Sequence, residues 1–250
     1  MKSWLQPEPV QAYERIAPVY DHLMKHVRYG KWARYIHHIF SEFGNGGCRV
    51  LDAGCGTGKM MQALRKYGFH TAGFDRSYHM LCQAQSAATM GIWQGDLTVL
   101  AVHPGWDGIV CLYDTVHYLD LLEFEALCGE AAHILKPGGL FVFDVVTERH
   151  IRDYWADFME IDQYAETKIV RRSWYDPGKR CQYTEFEIRD PVTRRTYMES
   201  HRQWIYSLAD IEARIAASVL ERVGCFDGYT FDAGNEKSER IHYVLRKVQL

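Results

Sequence analysis

The stretch Val50-Leu51-Asp52-Ala53-Gly54-Cys55-Gly56-Thr57-Gly58 sets three glycines between an apolar run and a helical pattern. Residues 48–53 read as a buried strand, and Met60, Met61, Leu64 and Tyr67 mark one face of the helix that follows. Glycine at such a junction permits positive φ and lets a ligand approach backbone where a Cβ would collide. A dinucleotide loop spaced G-x-G-x-x-G would need its third glycine at Lys59, one residue beyond Gly58. A triphosphate loop would need G-K-S/T after four intervening residues, which the stretch lacks.

Two acids downstream extend the reading. Gly73-Phe74-Asp75 puts a carboxylate at the end of the next strand, 17 residues after Gly58, where it can accept hydrogen bonds from both hydroxyls of a ribose. Gln94-Gly95-Asp96-Leu97 closes the short strand after that. Asp96 suits an adenine amino group, and Leu97 suits the face of the ring. A single strand-end acid is ordinarily a turn former or a helix cap. With Asp52, three consecutive strand ends carry one, which capping alone explains poorly.

The surrounding chain alternates strand and helix. Trp32, Tyr35, Ile36, Ile39, Phe40 and Phe43 recur at helical spacing over 30–43, and Gly44-Asn45-Gly46-Gly47 ends the run. Gly68–Phe74, 90–94, 107–112 and the apolar run Leu140–Val146 read as strands. Tyr78–Ala87 and the segment from Phe124 to Leu135 read as helices, the second ended by a Lys136-Pro137-Gly138-Gly139 turn. Uninterrupted apolar strands joined by helices predict an α/β, doubly wound, mostly parallel sheet with ligands beyond the strands' carboxyl ends. After residue 147 the pattern changes. Segments 160–175, 180–190 and 194–206, with turns at Asp176-Pro177-Gly178 and Asp190-Pro191, predict an inserted antiparallel β-meander. A helix over 208–223 and strands at 226–232 and 240–248 complete the chain. The domain reading is therefore 1–147 with 207–250 as one unit, and 148–206 as an insert that walls the substrate or forms a homodimer face.

Composition narrows the function classes. The formal charge of -3 supplies no global positive field for a phosphate backbone, which argues against nucleic acid as partner. The seven cysteines are dispersed and never form C-x-x-C, so free thiols in a reducing compartment and no metal site are expected. No window approaches the ~20 apolar residues of a membrane span, and the amino terminus shows no apolar leader. The expectation is a cytoplasmic protein.

The string Val50–Gly58 followed by Asp75, Met80 and Asp96, with the later Leu135–Gly139 turn, resembles the signature of class I, Rossmann-like S-adenosylmethionine-dependent methyltransferases. The resemblance implies a seven-stranded sheet whose last strand is antiparallel, and S-adenosylmethionine as cofactor. It implies Gly54 and Gly56 under the methionine portion, Asp75 on the ribose, Asp96 near adenine, and Asp52 orienting the cofactor's amino group. Tyr20, Trp32, Cys55, Arg76, Met80, Gly95, Leu97 and Leu112 join them as implied cofactor contacts. More loosely, Tyr13-x6-Tyr20-Asp21, Tyr29-Gly30-Lys31-Trp32, Leu112–Leu119, the inserted meander and Glu239-Arg240-Ile241 resemble a bacterial subgroup of small-molecule methyltransferases. Where that subgroup carries asparagine in its Asp-Ser-x-Asn-Tyr stretch, this chain has His117. In the related amino-sugar N-methyltransferases a histidine near this place lies by the accepting amine.

In-line displacement at a sulfonium methyl chiefly needs the acceptor held close with water excluded. An ammonium or hydroxyl acceptor also needs a base, and a histidine has a suitable reference pKa. His117 is the candidate base or orienter, with capping of the helix after Asp120 as the alternative. Tyr20 either covers cofactor and acceptor or staples the next helix, and Asp114 either holds the acceptor, fixes His117 or caps. Trp32, Trp155, Trp174 and Trp204 form either a substrate wall or simple core. The expected reaction is methyl transfer to a nitrogen or oxygen of a small molecule. A non-catalytic cofactor-binding module is the rival, and so is an RNA or protein methyltransferase. The absence of an Asn/Asp-Pro-Pro-Tyr/Phe stretch at Tyr113-Asp114-Thr115-Val116 weighs against the latter.

Overall fold

In the central strands neighbouring residues bury on opposite sides, and both sides are apolar. Leu51, Ile109, Phe141 and Phe143 belong to one core cluster, whereas Val50, Val110 and Val142 belong to another. A strand that must satisfy two dry faces has no polar alternation, which is why these segments read as unbroken hydrophobic runs. The computed structural model describes residues 6–86 and 91–248.

In chain order the elements begin with β1 (Glu8–Val10), α1 (Ala17–Leu23), α2 (Tyr29–Phe43), β2 (Arg49–Ala53), α3 (Lys59–Arg65), β3 (His70–Asp75) and α4 (Tyr78–Ser86). They continue with β4 (Ile92–Gln94), β5 (Trp106–Cys111), a 3₁₀ turn at Thr115–Tyr118, α5 (Leu121–Ile134), β6 (Leu135–Val146) and α6 (Glu148–Tyr154). Four long strands follow, β7 (Asp157–Tyr164), β8 (Thr167–Asp176), β9 (Cys181–Asp190) and β10 (Arg195–Trp204). The chain closes with α7 (Leu208–Ala216), β11 (Leu220–Asp227) and β12 (Arg240–Lys247).

Seven strands form one sheet in the order β11-β12-β6-β5-β2-β3-β4. All its central pairings are parallel except those of β12, which runs antiparallel to both β6 and β11. Helices α2 and α3 cover one face and α5 and α7 the other. The expected α/β doubly wound architecture with an antiparallel last strand is thus present. Among the described residues no helix is long and apolar enough to cross a membrane.

The second sheet has the order β1-β10-β9-β8-β7. Its four long strands are the expected meander, but three details differ. The segment expected to be one strand over 160–175 is a hairpin, β7 and β8, that turns at Ala165 with φ 50°; no glycine, proline or asparagine marks it. The amino-terminal residues, grouped by sequence with the larger sheet, extend this one instead: β1 pairs in parallel with β10, Glu8 opposite Tyr197. Helix α1 also packs there, Ile16 and Val19 meeting Ile169, Ile188 and Tyr197.

The helix expected over 208–223 stops at Ala216. The Ser218 hydroxyl donates to the Ile215 carbonyl and accepts from the Leu220 N–H, closing the helix and starting β11 at once. The strand expected at 226–232 accordingly lies earlier, at Leu220–Asp227. Lys136–Gly139 is an irregular opening of β6, where the pairing with β5 jumps from Trp106–Leu135 to Gly108–Leu140. Lys136 there donates to Asp107 at 2.7 Å. The expected helix end at Ala87 and strand start at Met90 lie outside the described residues.

Candidate active site

Between β2 and α3 the backbone takes positive φ three times, at Gly54 (81°), Gly56 (53°) and Gly58 (76°). The Gly54 and Cys55 N–H groups both donate to the Phe74 carbonyl at 2.9 Å, which pins the loop to the end of β3. Gly56 N–H then donates to Asp75 Oδ2 at 2.9 Å, and Ser77 N–H to Asp75 Oδ1 at 2.8 Å. A Cβ on Gly56 would stand 3.2 Å from the Met80 methyl. Loop, acid and methionine therefore form one cradle. Burial raises the Asp75 pKa, against which the N–H donors of Ser77, Gly56 and Arg76 pull it back.

Asp52 sits at the end of β2, 2% exposed, and its Oδ2 has no hydrogen-bond partner. Burial first, and the Asp75 carboxylate second, push its pKa up to about 7. An orphaned buried carboxylate is costly unless a donor arrives to meet it. An ammonium group is such a donor. At the end of β4, Asp96 Oδ1 accepts from the N–H and hydroxyl of Thr98 at 2.9 and 2.7 Å, which lowers its pKa.

These groups line a single cavity of about 1040 Å³ between the carboxyl edge of the seven-stranded sheet and the inner face of the meander. Of the residues expected to bind cofactor, Tyr20, Asp52, Gly54, Cys55, Gly56, Asp75, Arg76, Met80, Gly95, Asp96, Leu97 and Leu112 line it. Trp32 does not. It is 1% exposed in the α2 core, edge-on to Tyr229 and His242 with ring centroids 5.2 and 5.0 Å away.

The three residues expected to do chemistry separate. Tyr20 and Asp114 line the cavity. Asp114, however, is held by Arg240 through two hydrogen bonds of 2.6 and 3.1 Å, and Arg240 also bonds Asp144. Burial would raise the Asp114 pKa, but the guanidinium outweighs it and holds the carboxyl low. Asp144 in turn accepts from the N–H groups of Tyr113 and Asp114 at 2.5 and 3.3 Å. Those two consecutive residues adopt φ of 63° and 66°, so the ion cluster stabilises a strained strand end rather than a free base.

His117 lies outside the cavity lining and is fully buried. Its Nδ1–H donates to the Trp204 carbonyl at 2.5 Å, and its Nε2 accepts from the Val146 N–H at 3.0 Å. Both nitrogens are committed, and burial lowers its pKa, so it is a neutral strut joining β6, β10 and the 3₁₀ turn. Nor does it cap α5: Asp120 and Glu123 form a capping box there. The expectation of a base or orienter at this position is replaced by that structural role.

The meander supplies what sequence reasoning missed. Tyr13 and Tyr118 hydroxyls lie 2.8 Å apart, and Tyr118 Oη lies 3.0 Å from His201 Nδ1. On the far side His201 Nε2 faces Glu199 Oε2 at 3.4 Å, an ion-pair distance without good hydrogen-bond geometry. Glu199 is fully buried and also accepts from the N–H groups of Tyr13, Arg15 and Ile16. Burial raises the Tyr13 and Tyr118 hydroxyls well above the usual phenol range. The signal was period-2 alternation: Tyr197, Glu199, His201 and Gln203 share one face of β10.

The model of a family described as a methyltransferase domain matches residues 24–199. The chain belongs to that methyltransferase family. A relative from Geobacillus sp. (strain WCH70), itself provisionally named a methyltransferase, is 26% identical over 245 residues, covering 94% of this chain and 99% of the relative. A dTDP-3-amino-3,4,6-trideoxy-alpha-D-glucopyranose N,N-dimethyltransferase from Streptomyces venezuelae is 25% identical over 192 residues, covering 72% and 77%. Among solved structures, an S-adenosylmethionine-dependent methyltransferase from Clostridium acetobutylicum ATCC 824 superposes with a TM-score of 0.80 at 23% identity, covering 95% of this chain and 99% of that one. A sugar N-methyltransferase from Streptoalloteichus sp ATCC 53650 gives 0.76 at 18% identity, with 100% and 98% covered.

Proposed function

We propose that this methyltransferase moves the methyl group of S-adenosylmethionine to a nitrogen or oxygen atom of a small molecule bound under the meander. The observation that carries the reading is one cavity in which the Gly56–Asp75 cradle and the orphaned Asp52 carboxylate face the Tyr13–Tyr118–His201 chain. The activities for which the sugar N-methyltransferase and the N,N-dimethyltransferase are named agree with an amine acceptor.

When bound, the cofactor supplies an electrophilic methyl on a sulfonium sulfur. Asp52 would meet the cofactor's ammonium, Asp75 would hold the ribose hydroxyls, and Asp96 with Leu97 would hold the adenine. Gly54 and Gly56 leave the room that side chains would fill. Tyr20 roofs the site and keeps water from it. The acceptor's proton passes to Tyr13 Oη as Tyr13 gives its own proton to Tyr118, and Tyr118 passes one to His201 Nδ1. Glu199 keeps the other ring proton on His201 Nε2 and steadies the imidazolium that forms. Asp114 and His117 act through position, fixing the strand end and the turn that carry Tyr113 and Tyr118.

The test is calorimetry of the purified protein with S-adenosylmethionine and S-adenosylhomocysteine, followed by labelled-methyl transfer into metabolite extracts. Saturable binding of both, and label in a low-molecular-weight product, are expected. Absence of heat and of thermal shift with either nucleoside would overturn the reading.

A further inference from the structure

The inner face of the meander carries cross-strand rows, and its central row is Glu160, Arg171, Phe186 and Glu199. Arg171 therefore hangs over the middle of the cavity that it lines. Its guanidinium lies 4.4 Å from the ring centroid of Trp155, with the rings of Phe158 and Phe186 at 5.6 and 5.7 Å. The Nε atom is buried and has no hydrogen-bond partner.

No carboxylate among the described residues is ion-paired with it. Glu199, in the same row, is spent on the N–H groups of the Tyr13–Ile16 segment. Glu160, directly opposite, is exposed and attracts Arg171 only from a distance. The other acids of the wall are compensated: Asp162 faces His22 and Lys25 at 3.2 and 4.0 Å, and Asp114 faces Arg240. Asp52, Asp75 and Asp96 sit on the opposite wall, where the strands of the larger sheet end.

A guanidinium half-withdrawn from water, with its buried Nε left unpaired, is a standing cost, because it stays charged at any physiological pH. Its five N–H donors match a planar or tetrahedral oxyanion in two-point contact. An aromatic cradle orients the fork without satisfying those donors. Sharing the cavity with the acidic cofactor wall, Arg171 gives the remaining space a cationic end.

We propose that the methyl acceptor carries an anionic group, a carboxylate or a phosphate, that docks on Arg171 and so sets which molecules present their nucleophile to Tyr13. The proposal rests on the methyl-transfer reading above. It makes Arg171 a specificity residue, and the acceptor an anionic amine or alcohol rather than a neutral or purely cationic one.

The experiment has two parts. Metabolite extract is labelled by the wild-type protein with methyl-labelled cofactor and passed over an anion exchanger at neutral pH, before and after alkaline phosphatase. Retention of the label is expected. Loss of retention after phosphatase assigns a terminal phosphate, and persistence assigns a carboxylate or an internal phosphodiester. Labelled product, separated from unreacted cofactor, that flows through untreated overturns the proposal while leaving methyl transfer intact, whereas no labelled product in any fraction sinks the methyl-transfer reading and this one with it.

In the second part, the S-adenosylhomocysteine-bound protein is titrated with inorganic phosphate and with acetate, following the fluorescence of the tryptophans that include Trp155. A saturable change that disappears in Arg171→Gln is expected for at least one anion, and no saturable response to either overturns the proposal. With the labelled acceptor in hand, Arg171→Gln raises KM by roughly ten- to a hundredfold, the loss expected for a charge-assisted contact. Arg171→Lys, which keeps charge and cradle but not the fork, falls between. Unchanged KM in both variants would mean that the aromatic packing is the residue's whole role.

Discussion

The two walls of the cavity are built on different principles. The wall at the edge of the seven-stranded sheet is local in sequence: its glycines, Asp52, Asp75 and Asp96 follow one another at successive strand ends, and Asp75 and Asp96 accept from backbone N–H groups at most 19 positions away. The meander wall is assembled at a distance. Glu199 accepts from residues 183 to 186 positions away, and Tyr118 meets His201 across 83. A local wall suits a constant ligand, because backbone geometry alone makes it. A wall made by cross-strand register can change its inner face residue by residue without altering the fold, which suits a ligand that differs between relatives.

If that division holds, variants on the two walls separate cofactor affinity from turnover. The largest effect belongs to Gly56→Val. A β-branched residue at φ 53° is strained and would crowd Met80, so cofactor affinity measured by calorimetry falls by more than ~100-fold, and Asp75→Ala follows closely. Next comes His201→Gln, which lowers kcat by ~10²- to 10³-fold while leaving the cofactor Kd within about twofold. An equal loss of cofactor affinity would erase the distinction between the walls.

Asp52 sharpens the comparison through pH. Its carboxyl, held near 7 by burial and by Asp75, must be ionised to receive an ammonium group. Cofactor affinity therefore rises as pH goes from about 5.5 to 7.5, up to ~10-fold per unit below the pKa, and levels off above it. In Asp52→Asn that dependence flattens. The smallest effect on chemistry comes from His117→Ala. Stranding the Trp204 carbonyl and the Val146 N–H and opening a cavity costs ~2–4 kcal/mol in urea unfolding, whereas cofactor affinity of the folded fraction stays within about threefold.

The same contrast explains how much was legible in the sequence. Val50–Gly58, Asp75 and Asp96 announced the sheet, its strand-helix alternation and the wall proposed to hold the cofactor, because each signal is contained in a few consecutive residues. The hairpin turn at Ala165 was not legible, since an alanine holding positive φ leaves no compositional mark. His117 drew attention by following a strand end, yet burial and two backbone partners made it a brace. His201 and Arg171 looked like ordinary residues of charged strands. Only the register between β8, β9 and β10 turns them inward together.

One feature of the larger sheet bears on how the molecule comes into being. β12 sits between β6 and β11 and brings Arg240 to Asp144, a contact spanning 96 positions. During synthesis β6 thus waits with a bare edge until the ribosome has delivered β12, and the Tyr113–Asp114 corner has no cation to brace it until then. Such a late, long-range closure favours slow maturation and leaves the nascent chain a substrate for chaperones.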